Sequence, residues 1–123
     1  MVRTLAVIFG ILFVAAAVLG TMPVYTPEGN LFSLFCINPV HNLIHLVTGI
    51  IALIVGFKSL TASKIFFRIF GILYLIIAIL GIYYAHEAIF GVVANNMPDV
   101  GLHFVIALIA LYLGFRSESV QNA

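Results

Sequence analysis

The chain has 123 residues, 64% of them hydrophobic and only 7% charged, with a formal net charge of +1. Soluble domains carry about 45–50% apolar and about 25% charged residues, so an ordinary soluble domain is excluded. The near-neutral balance without a basic cluster argues against nucleic acid as a partner. The single cysteine, Cys36, rules out an intramolecular disulfide and a zinc site of the four-thiolate kind.

A membrane-spanning helix needs about 20 mostly apolar residues, and the chain accommodates four, at about 4–21, 39–57, 65–85 and 98–115. The first, in "MVRTLAVIFGILFVAAAVLG", has the basic start and apolar core of a secretory signal. Its recurrence later in the chain argues that it is retained. In the loop that follows, "NLFSLFCI" (30–37) reads as a short interfacial or re-entrant helix, as does "AIFGVVA" (88–94) in the other long loop. Both are expected to act as lids over the histidine layer described next.

The second span opens with "NPVHNLIH", where Asn38 is the expected cap and Pro39 sits at the first helical position. His41 and His45, four residues apart, share a helix face with Thr48, Ala52 and Gly56. That spacing of small residues permits close helix approach. An imidazole turned to lipid would leave its N–H unsatisfied at a cost of several kcal/mol, so the histidine face is expected to point inward. The third span ends beside His86 and Glu87. The fourth begins at Asn96, Met97 and Pro98, continues through Asp99 and His103, and carries Ala110 and Gly114 on its packing face.

All five basic residues fall on one side. Arg3 precedes the first span, Lys58, Lys64 and Arg68 surround the link between the second and third, and Arg116 follows the fourth. The positive-inside rule places both termini in the cytoplasm. Glu28, Glu87 and Asp99 then lie on the outer side, with Tyr25, Tyr83 and Tyr84 forming an interfacial aromatic belt.

The chain also repeats itself. "VIFGILFVAAAVLG" (7–20) matches "RIFGILYLIIAILG" (68–81), and "HLVTGIIALIVGF" (45–57) matches "HFVIALIALYLGF" (103–115). His45 and His103 are equivalent in this alignment, Asn38 matches Asn96, and His41 matches Asp99. Both copies start on the same side, as parallel repeats about an axis along the membrane normal do. The prediction is an all-α integral-membrane four-helix bundle. It forms a single membrane domain over residues 1–123, built from two tandem hairpins (repeat 1, 4–57; repeat 2, 65–115) with cytoplasmic ends.

"HNLIHLVTG" in a four-span chain of this length resembles an uncharacterised family of small bacterial membrane proteins with an N-x-x-H-x-x-x-G type motif. Asn42, His45 and Gly49 carry the likeness. The second copy keeps His103 but has Val100 and Ala107 at the other two positions. The resemblance implies a location in the bacterial inner membrane and supplies no activity.

Three chemistries compete for the polar residues. His45 and His103 can hydrogen-bond across the bundle, with Asn42 and Thr48 nearby, and so fix helix register; this structural or interaction role is favoured, with no cofactor. Alternatively, His41, His45, His86 and His103, with Glu87 and Asp99, are candidate ligands for a transition-metal ion. In a further variant His45 and His103 are the axial ligands of a b-type haem. Transport would require ionisable groups deep in the membrane. None lies near the centre of a span, and a four-span carrier would need to form a homo-oligomer to build a pathway. Catalysis by Cys36 with His41 lacks a third orienting group.

Overall fold

The computed structural model describes residues 1–118. Within them lie four long helices, α1 (Val2–Leu19), α2 (Pro39–Lys58), α3 (Leu60–Tyr84) and α4 (Met97–Phe115), each long and apolar enough to cross a bilayer. The expected all-α membrane bundle is the fold.

Local chemistry sets the helix starts. The Asn38 side chain accepts from the His41 amide at 2.9 Å, with Pro39 behind it. Asn96 and Asp99 form a reciprocal capping box, each side chain accepting from the other's amide at 3.0 Å. The third span begins at Leu60, five residues earlier than its composition suggests. Ser59 alone separates α2 from α3: its backbone is extended and its hydroxyl accepts from the Ala62 amide. The polar residues of "LTASK" are therefore helical, with the Ser63 hydroxyl donating to the Val55 and Ser59 carbonyls.

The loop segments 30–37 and 88–94 are not helical, which corrects the sequence expectation. β1 (Asn30–Leu31) pairs antiparallel with β2 (Phe35–Cys36), and Ile89 bridges Val93 in the second loop. Phe32 and Ser33, and at the corresponding positions Phe90 and Gly91, take positive φ and fold each segment back on itself. Segments of seven or eight residues lack the length to offset helix nucleation. The two turns are tied together reciprocally: Asn38 Nδ2 donates to the Val92 carbonyl and Asn96 Nδ2 to the Leu34 carbonyl, both at 2.8 Å.

The bundle is built small inside and large outside. Ala6, Gly10, Ala52, Gly56, Gly71, Ala78, Ala107 and Gly114 are buried, while Ile11, Leu12, Ile50, Ile54, Ile76 and Leu108 are exposed. An apolar surface on every helix far exceeds the few hundred Å² that a soluble monomer tolerates; it is a lipid-facing surface. The tight pairs are α1 with α2 and α3 with α4. A Cβ at Gly10 would lie 2.8 Å from the Gly49 carbonyl oxygen, and one at Gly49 would lie 2.9 Å from that of Gly10. The two backbones touch there. Phe9, Phe13, Phe67 and Tyr74 fill the space between the pairs, with Phe9 edge-on to Phe67 at 5.3 Å.

Candidate metal centre

His41 lies in the first turn of α2, one turn before His45, and α4 carries His103 opposite them. One ring nitrogen from each of the three lies within 4.8 Å of the others. His41 Nδ1 is 3.1 Å from the Cys36 carbonyl, and its Nε2 is 3.1 Å from His45 Nε2. A carbonyl only accepts, so Nδ1 of neutral His41 carries the proton and its Nε2 is an acceptor. His45 Nε2–H therefore donates to it. His41 and His103 are buried, with 2% and 5% of their surface exposed, and His45 is partly buried.

Aromatic rings pack the trio. Phe13 meets His45 edge-on at 5.3 Å and Tyr74 meets His103 at 5.5 Å, while the Tyr74 hydroxyl bonds Thr48 at 3.3 Å. His103 Nδ1 is the exception, being buried without a hydrogen-bond partner. A tetrahedral ion with bonds of about 2.0–2.1 Å sets neighbouring nitrogens about 3.4 Å apart. His41 and His45, with nitrogens 3.1 Å apart, stand close to that spacing, and the His103 nitrogen, within 4.8 Å, moves in to complete it.

The other predicted residues are placed differently. His86 and Glu87 are exposed after the end of α3, outside the trio. Asp99 is buried but committed to the capping box. Asn42, Thr48, Gly49, Ala52, Gly56, Ala110 and Gly114 are all buried. A haem between His45 and His103 does not fit: the His41 ring lies 4.5 Å from the first and 5.8 Å from the second, where the porphyrin would have to lie. Sequence reasoning missed the Cys36 carbonyl, Phe13 and Tyr74. The last two were detectable, because they occupy equivalent positions in the aligned hairpins. Asn95 was also missed; it is buried and donates to the Gly81 and Ala85 carbonyls.

Two cavities open near this centre. One of about 590 Å³ sits between the ends of α1 and α2 beside the first loop and touches no histidine. Another, of about 300 Å³, opens between α1 and α4 and includes His45 in its wall.

Fold and site together define a multi-pass membrane protein with a buried three-histidine cluster near the loop end of its bundle. The chain belongs to the family described as "Domain of unknown function (DUF4383)", whose model matches residues 3–116. The expectation of an uncharacterised family is met. No curated protein and no solved structure matches it.

Proposed function

We propose that this protein binds one transition-metal ion through His41, His45 and His103. The observation that carries this reading is the convergence of three imidazoles in which His103 Nδ1 is buried and unpartnered. A purely packing role accounts for the His41 and His45 bonds but leaves that nitrogen unexplained. An all-imidazole donor set suits zinc, copper, nickel or iron rather than magnesium or calcium. The Cys36 carbonyl then does what partners of ligating histidines do, fixing the tautomer so that Nε2 faces the ion.

The same reading takes the loop end as outward and the two hairpins as tandem copies in a bacterial inner membrane. Supporting the copies are matched contacts: Gly10 abuts Leu53 as Gly71 abuts Leu111, and Gly56 abuts Val7 as Gly114 abuts Arg68. In each pair the two partners are equivalent in the sequence alignment.

The test is titration of detergent-purified protein with Co(II) and Zn(II), read by absorption and elemental analysis. Expected is one ion per chain with the intense d–d bands of a tetrahedral or five-coordinate site. Binding should be lost in His103→Ala and unchanged in His86→Ala. It should weaken in acid, because protonated imidazole cannot ligate. Equal binding by His103→Ala and the parent chain overturns the site.

A further inference from the structure

The seams between the two hairpins are unlike each other. α2 and α3 are joined through Ser59 and pack together, whereas α1 and α4 scarcely touch and part around the cavity of about 300 Å³. Its walls run from Phe9 to Ala16 on α1 and from Leu102 to Ile109 on α4, about 10 Å along each helix axis. Every wall residue is apolar except His45. The volume stands at the lower end of the roughly 300–1,000 Å³ typical of small-molecule sites, and such sites pair apolar walls with few polar groups.

The groove has a direction. His45 packs on Phe13, and its ring is 6.3 Å from that of His103, the residue following Leu102. The polar group thus stands in the half of the groove nearer the loops, level with Phe13 on α1, and the apolar walls continue toward the middle of the helices. A lipid of the adjoining leaflet has the same polarity. His45 is seven residues below the Asn38 cap, about 10 Å into the helix, too deep for a phosphate headgroup, and no Lys or Arg lines the groove to pair with one. The occupant therefore has a small, uncharged head, and a cavity of about 300 Å³ leaves room for one chain.

The hydrogen-bond chain specifies that head. With Nε2–H of His45 given to His41, its Nδ1 is an acceptor and has no bonding partner among the described residues. With Nε2 on a metal, Nδ1 becomes a donor. A carboxylic acid satisfies both states, through its O–H in the first and its carbonyl oxygen in the second. We propose that the α1–α4 groove binds one long-chain fatty acid from the bilayer, its carboxyl group on His45 and its chain between the two helices.

The test uses the metal-free full chain in phosphatidylcholine vesicles with a diazirine-bearing palmitic acid, followed by mass-spectrometric mapping. Expected are adducts confined to residues 9–16 and 102–109, competed by palmitic acid and at least tenfold less well by methyl palmitate, which has no O–H. Ala16→Phe, which fills the groove, should abolish competed labelling. Ile109→Trp, at the lipid-facing rim, serves the same purpose should the first variant fail to fold. His103→Ala should keep the labelling while losing metal, so failure of the metal site and failure of the groove are separately visible. Labelling spread evenly over all lipid-facing positions, or undiminished in the folded groove-filling variants, overturns the proposal. So does equal competition by methyl palmitate.

Discussion

His41 and His103 share one polar layer, yet they differ in what they hold. His41 bridges the Cys36 carbonyl and His45, so replacing it with phenylalanine strands two polar groups. His103 bonds nothing through its buried Nδ1. An unsatisfied buried group costs about 1–3 kcal/mol. In metal-free protein, His41→Phe should therefore destabilise by about that amount, whereas His103→Phe should leave stability unchanged or raise it. Thermal unfolding in detergent measures both, and a large loss from His103→Phe would show that the ring is needed for packing alone. Nearby, burial pushes the Cys36 thiol above its ordinary pKa, and the Asp99 carboxylate adds to the effect. Its alkylation by a maleimide should be slow at pH 7 and accelerate as pH rises past the ordinary thiol range.

Among the elements, the sharpest contrast is between two glycines. A Cβ at Gly10 would stand 2.6 Å from Leu53 and 2.8 Å from backbone oxygen, while Gly101, exposed on α4, would meet nothing within 4 Å. Gly10→Ala should force α1 off α2 and cost about 1–3 kcal/mol. Gly101→Ala should stabilise by up to about 1 kcal/mol, because glycine weakens a helix interior. Reversible unfolding in mixed micelles compares the two. Sequence made this packing legible, since small residues at helical spacing identify the close face whatever their partner. It misjudged the loops, because seven-residue apolar stretches carry no period that separates helix from strand. What turns the chain there is positive φ at Phe32, Ser33, Phe90 and Gly91, and only the glycine announces it by residue type. The histidine site was half legible. Spacing on α2 paired His41 with His45, and alignment of the two halves of the sequence brought in His103. That His86 and Glu87 stand apart depends on how α3 ends, with Ala85 at positive φ, which no motif encodes.

At the scale of the whole molecule, charge and structure converge at the end that carries both termini. Arg3 donates to the Gly56 and Phe57 carbonyls, Lys64 to that of Arg116 and Arg68 to that of Gly114. These cations satisfy the last carbonyls of α2 and α4, the groups that helix ends leave open and that the helix dipole makes attractive to positive charge. The N-terminal ammonium pairs with Glu118 at 2.8 Å, closing the same end. Three basic side chains and the chain terminus thus have structural work there apart from any role in topology, so their one-sidedness needs an independent measurement. Single cysteines in a Cys36→Ser background supply it. Thr61→Cys is exposed beside the α2–α3 connection, and Val92→Cys is exposed at the tip of the second loop turn. Cytoplasmic termini predict that, in intact cells, an impermeant maleimide labels residue 92 and spares residue 61 until the membrane is opened. The reverse pattern would put the three-histidine layer on the cytoplasmic side, and the proposed metal ion would then be drawn from the cell interior.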